Sequence, residues 1–172
     1  GGIRNAGGSV TIANNHIEHN ISQTSGGGIY SGGYFGGSAS VQDNTISNNT
    51  ALSGDGGGLY GVTSAVTNNV ITGNSASSSG GGGYVSSISA MTLSGNTISG
   101  NSASSGGGIN MGGCSSDLTM SGNGIINNTA SQINQGGGIY LSNGCYPAIN
   151  NNDIYGNLTG SQPNDLYNGN AS

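Results

Sequence analysis

The chain has 172 residues and a net charge of −5, and glycine (37), serine (28) and asparagine (25) make up more than half of it. Isoleucine, leucine, valine and phenylalanine supply only 30 residues, a fraction that usually goes with disorder, but then also with a high net charge that is missing here. Glycine without a period of three excludes collagen, the absence of lysine and of any Ala-Leu-Glu pattern excludes a helical bundle, and no apolar run reaches the roughly 18 residues a membrane span needs. Phosphate and anionic lipid are held by several cations, and Arg4 stands alone, so neither nucleic acid nor a membrane is an expected partner. No leader peptide is recognisable and the first residue is Gly1, which reads as a processed product or a segment of something longer.

A biased composition has to be tested for a period before it is read as disorder. The chain opens on Gly1-Gly2-Ile3-Arg4, a shortened form of the element that follows at Gly26-Gly27-Gly28-Ile29-Tyr30, Gly56 to Tyr60, Gly106 to Asn110 and Gly136 to Tyr140. The copy at Gly80 to Tyr84 aligns with Gly83 in the isoleucine place, and Asp165-Leu166-Tyr167 closes the series. Next in each repeat comes an alternating pair, such as Val10 and Ile12, with Val41, Val66, Leu93, Met120 and Ile149 in the place of Ile12. Alternation at spacing two is a strand with one buried face. Last comes Asn-x-Ile-x-x-Asn, at Asn15/Ile17/Asn20, Asn44/Ile46/Asn49, Asn69/Ile71/Asn74, Asn96/Ile98/Asn101, Asn123/Ile125/Asn128 and Asn152/Ile154/Asn157. The central isoleucines are 29, 25, 27, 27 and 29 residues apart.

Three short strands per repeat of about 27 residues cannot pair among themselves, so each pairs with its equivalent in the next repeat. The expected fold class is therefore all-β, a right-handed single-stranded parallel β-helix (β-solenoid) of about six coils, roughly 29 Å tall at about 4.8 Å per coil. Residues 1–172 read as a single domain without convincing caps. The asparagines of the motif should stack into ladders, each amide bonding the ones above and below, and the glycine run should supply φ > 0 at the tightest corner. Ser31 to Ser38 reads as an insertion, and Ser75 to Ser79 as a corner.

Gly-Gly-Gly-Ile paired with Ile-x-x-Asn resembles the repeat pair of polymorphic outer-membrane-protein passengers, which carry Gly-Gly-Ala-(Ile/Leu/Val) and Phe-x-x-Asn. Gly28 replaces their alanine and Ile46 their phenylalanine. The resemblance covers nearly all of residues 1–170. It implies a β-helix in a secreted or cell-surface location, commonly in adhesion or structure.

Cys114 and Cys145 fall at equivalent places in adjacent coils, close enough for a disulfide that would imply an oxidising compartment; two buried free thiols are the alternative. His16, Glu18 and His19 form the densest polar cluster, a metal or acid–base candidate, with a solvated face as the plainer reading. Asp43, Asp55, Asp117, Asp153 and Asp165 yield no pair at the spacing glycoside hydrolysis requires, so no catalytic residue, cofactor or metal is expected. Tyr30, Tyr60, Tyr84, Tyr140 and Tyr167 share one phase and should form an outward stripe, interrupted at Asn110. Such a stripe binds sugar rings or another rod, or else simply stacks. Asn20, Asn48, Asn127 and Asn157 begin Asn-x-Ser/Thr triplets. The leading expectation is an extracellular structural homopolymer stacked head-to-tail through its coil ends, with a surface adhesin or glycan-binding rod second and a polysaccharide-active enzyme third.

Overall fold

The computed structural model describes residues 1–32, 38–87, 90–114, 117–142 and 144–169. Most of the Ser31 to Ser38 insertion lies outside the described residues. Among them the strands form four sheets that run the length of the stack, with every strand but Gln162–Pro163 paired in parallel to its equivalent one coil away. The first face holds Ile3–Asn5, Ile29–Ser31, Leu59–Tyr60, Gly83–Ser87, Ile109–Cys114, Ile139–Leu141 and Leu166–Asn168. The second runs from Ser9–Ala13 to Ala148–Asn150 and the third from His16–Glu18 to Asp153–Tyr155.

The register follows the repeat. Ile17, Ile46, Ile71, Ile98, Ile125 and Ile154 lie over one another as Cα partners. So do Ile12, Val41, Val66, Leu93, Met120 and Ile149. On the first face Gly83 pairs with Leu59 below and Ile109 above. The missing side chain is covered from both sides, since a Cβ on Gly83 would lie 3.2 Å from Ile109 Cδ1 and 3.5 Å from Leu59 Cβ. These stacks form one continuous buried cluster along the axis. A thin coil needs only a few apolar residues per layer, because like side chains pack over like on all but the end coils.

The structure adds a fourth face to the three expected ones. Two-residue strands, Ile21–Ser22, Thr50–Ala51, Ser75–Ala76, Ser102–Ala103, Thr129–Ala130 and Leu158–Thr159, form their own sheet. Ala51, Ala76 and Ala103 are buried together in a small cluster of their own. The stretch from Ser75 is thus partly strand. At the far end Gln162–Pro163 pairs antiparallel with Leu158–Thr159 and covers that face.

The corners are set by two backbone devices. In the glycine runs only the first residue is left-handed, as at Gly26 (φ 70°) and Gly106 (φ 58°). The next two are glycine for want of room: a Cβ on Gly27 would sit 2.4 Å from Gly57 O, and one on Gly28 would sit 2.7 Å from Gly58 O. The second device lies outside the runs. The residue before each ladder asparagine has positive φ: Asn14, His19, Asp43, Asn48, Asn68, Gly73, Gly95, Gly100, Gly122, Asn127, Asn151 and Gly156. Asparagine, aspartate, histidine and glycine are the residues that tolerate this region best.

Candidate functional site

Two asparagine ladders follow from those corners. Asn15, Asn44, Asn69, Asn96, Asn123 and Asn152 form one, and Asn20, Asn49, Asn74, Asn101, Asn128 and Asn157 the other, with Nδ2 donating to the next Oδ1 at 2.8–3.1 Å. Each Oδ1 inside the stack also accepts the backbone N–H of the asparagine one coil earlier, as Asn74 Oδ1 does from Asn49 N at 2.9 Å. Nδ2 reaches a carbonyl of the preceding coil as well, as in Asn74 to Ile46 O at 2.9 Å. Among the described residues no buried side-chain nitrogen or oxygen lacks a partner. The second ladder ends on a carboxylate: Asp165 Oδ1 accepts from Asn157 N at 3.1 Å and from Asn157 Nδ2 at 2.9 Å.

Cys114 and Cys145 are disulfide-bonded, with Cα atoms 4.8 Å apart, and both are buried. The bond joins neighbouring coils beside the first face. The other polar candidates are dispersed into structural roles. His19 and Asp43 occupy left-handed corners, and His19 contacts Glu18 at 4.0 Å with both side chains exposed. His16 and Glu18 point outward from a strand whose Ile17 is buried. Asp55 Oδ1 accepts Ser79 N–H at 2.9 Å, tying two coils. Asp153 lies exposed on the third face. No group of three potential metal ligands exists among the described residues. Of the glycosylation triplets, Asn20 and Asn157 spend their amides in a ladder, whereas Asn48 and Asn127 stand exposed at corners.

The tyrosines are drawn into rows. Tyr30 and Tyr60 stack with ring centroids 5.1 Å apart and planes at 14°, Tyr60 and Tyr84 at 5.5 Å and 11°, and Tyr140 and Tyr167 at 5.4 Å and 8°. Arg4 begins the row, its guanidinium carbon 5.6 Å from the Tyr30 ring centre, in the place a tyrosine holds one coil later. Partial burial, with the neighbouring phenol and the Asp55 carboxylate adding to it, raises the Tyr60 and Tyr84 pKa values above the ordinary 10.0. Two grooves flank this face. One of about 400 Å³ lies beside Arg4 and Tyr30; the other, about 630 Å³, lies between Tyr84 and Tyr140, with Asn110 at its floor.

A family profile described as "Right handed beta helix region" matches residues 1–170. The chain belongs to the right-handed β-helix family. Searches of curated proteins and of solved structures found no significant match. The β-helix thus has its fold established, while the family includes no single chemistry to transfer to its residues.

Sequence reading located the cysteines, both ladders and the tyrosine phase. It missed Arg4 as the head of the tyrosine row, the carboxylate that ends the second ladder, and the left-handed corners. The last was readable in principle: each ladder asparagine is preceded by Asn, Gly, Asp or His. The fourth face also had a signal, an alanine five residues after Ile46, Ile71, Ile98 and Ile125.

Proposed function

We propose that this β-helix is an extracellular structural rod, without catalysis or cofactor, that extends head-to-tail by β-pairing at its coil ends. The observation that carries the reading is the register between coils: each face pairs with its equivalent one coil away, and both asparagine ladders bridge the same step, a pattern that a coil of a second copy can continue. On the fourth face the side chain of Ile21 is 64% exposed. A strand edge met by a matching strand takes it up through backbone hydrogen bonds. The disulfide supports an oxidising, extracellular setting. A chain with one arginine and no lysine also offers trypsin-like proteases almost nothing to cut.

Light scattering over a concentration series and negative-stain electron microscopy test this. Rods with an axial repeat of roughly 29 Å, reduced by Ile21→Lys, are expected. A single monomeric species at every concentration would overturn the reading.

A second reading, a surface rod that binds glycans and takes part in adhesion, is favoured by the stacked and partly exposed tyrosines. It expects binding on a glycan array that Tyr30→Ala and Tyr60→Ala abolish.

A further inference from the structure

Two of the Asn-x-Ser/Thr triplets occupy the same places in the repeat. In Asn48-Asn49-Thr50 and Asn127-Asn128-Thr129 the first residue is the left-handed corner between the third and fourth faces, the second is a ladder asparagine and the third opens a fourth-face strand. Thr50, Ser75, Ser102 and Thr129 are partners in register. The two coils between therefore keep the hydroxyl but carry Gly73 and Gly100 at the corner. Glycine serves a left-handed corner at least as well as asparagine, so the backbone alone does not call for Asn48 or Asn127.

Both side chains present a free amide. Asn48 and Asn127 are exposed, with φ of 54° and 55°, and among the described residues neither Nδ2 donates a hydrogen bond. Their oxygens turn along the stack. A Cβ on Gly73 would lie 2.7 Å from Asn48 Oδ1 and 3.6 Å from its Cγ, and one on Gly156 would lie 2.4 Å from Asn127 Oδ1 and 3.5 Å from its Cγ. Each Oδ1 thus rests over the bare corner of the next coil, and Nδ2 is the atom turned away from it. A group added at Nδ2 displaces no internal hydrogen bond. The two amides lie three coils apart, roughly 14 Å at the spacing of stacked strands, with only glycine corners between them.

The triplets at Asn20 and Asn157 are closed by contrast. Asn20 Nδ2 donates to Glu18 O at 3.1 Å and to Asn49 Oδ1 at 2.9 Å, which occupies both hydrogens. Asn157 is fully buried, and its Nδ2 donates to Ile125 O at 2.8 Å and to Asp165 Oδ1 at 2.9 Å. A substituent on either removes a ladder bond.

We propose that Asn48 and Asn127 are N-glycosylation sites, each carrying an oligosaccharide on Nδ2 at one corner of the rod. The donor is a lipid-diphosphate-linked oligosaccharide. Nδ2 forms a bond to sugar C1, the C1–O bond to the diphosphate breaks, the lipid diphosphate leaves with the bonding electrons, and one Nδ2 proton is released. The proposal rests on the extracellular setting given above, because the transfer is made to exported chains.

The experiment uses the whole chain, secreted from yeast behind a cleavable leader. Intact mass is measured before and after peptide-N-glycosidase, which leaves aspartate at each occupied asparagine. Chymotryptic peptides then locate the sites, since a chain with one arginine and no lysine yields little to trypsin. Glycans on Asn48 and Asn127, and none on Asn20 or Asn157, are expected on the folded product. Asn48→Gly and Asn127→Gly install the residue that neighbouring coils carry at this corner, and each should remove one glycan. Thr50→Ala should remove the Asn48 glycan with the asparagine still in place. Circular dichroism checks the fold of every form. A folded, secreted chain bare at Asn48 or at Asn127 overturns the assignment at that residue, while the extracellular rod, tested by light scattering on unglycosylated material, stands apart from it. Occupancy of Asn20 or Asn157 in the folded chain, or a glycan kept at Asn48 in Thr50→Ala, overturns the argument for both sites.

Discussion

Asn74→Ala removes the middle of a ladder and tests the logic of the corners. In the native chain the Asn74 side chain donates to Asn101 Oδ1 at 3.0 Å and to Ile46 O at 2.9 Å. It accepts from Asn49 N at 2.9 Å and from Asn49 Nδ2 at 3.0 Å. Asn74 is fully buried, so no water replaces these bonds. Truncation strands the Asn49 backbone N–H and takes a donor from the Ile46 carbonyl; Asn101 Oδ1 keeps the Asn74 backbone N–H. Two buried groups left unmatched cost about 1–3 kcal/mol each, which gives a loss of about 2–6 kcal/mol. That is a large part of the stability of an ordinary domain. Asn15→Ala at the exposed start of the other ladder loses only donated bonds and should cost about 1 kcal/mol. Urea denaturation followed by far-UV circular dichroism measures both. Equal and small losses would refute the reasoning, because they would mean that the ladder decorates corners the backbone holds without it.

Reduction of Cys114–Cys145, or Cys114→Ser, opens a loop of 31 residues and should cost about 3–4 kcal/mol, read as a lower melting temperature with reductant present. Gly27→Ala drives a Cβ to 2.4 Å from Gly57 O and 2.7 Å from the Thr50 backbone, atoms that cannot yield, so the variant should fail to fold or lose more than about 3 kcal/mol; Gly100→Ala meets no atom within 4 Å and pays only for its left-handed φ of 62°, about 1–2 kcal/mol, in the same denaturation assay. Tyr60 and Tyr84 hold their protons more tightly folded than unfolded. The stability this gives is complete below the ordinary tyrosine pKa of 10.0 and drains away as pH rises through the folded values, so ultraviolet titration should show late-ionising phenols and melting temperature should fall over that alkaline range.

Repetition made most of the fold legible before any coordinates. A residue type that recurs in phase has to sit over itself, and the Asn-x-Ile spacing alone places Ile46 under Ile71. What stayed hidden was carried by small or degenerate residues. The fourth face is built from Ser-Ala and Thr-Ala pairs, too short and too weakly apolar to stand out as strands. The left-handed corners accept four residue types, so no single letter marks them. Gly83 could be aligned only through its neighbours Tyr84 and Val85, because its role is to be filled by other residues' side chains. The tyrosine phase was plain in the sequence, yet the groove at Asn110 depends on how far the serine and glutamine corner stands from the first face, which spacing does not encode.

The ladder bonds all run one way: every Oδ1 inside the stack accepts from the asparagine of the coil before it, and every Nδ2 donates one of its hydrogens to the Oδ1 of the coil after. Their small dipoles therefore add instead of alternating, much as peptide dipoles do along an α-helix. The molecule has an electrical direction as well as a geometric one. A rung set upside down against the first coil would put carbonyl against carbonyl in both rows, whereas a rung in the same sense continues them.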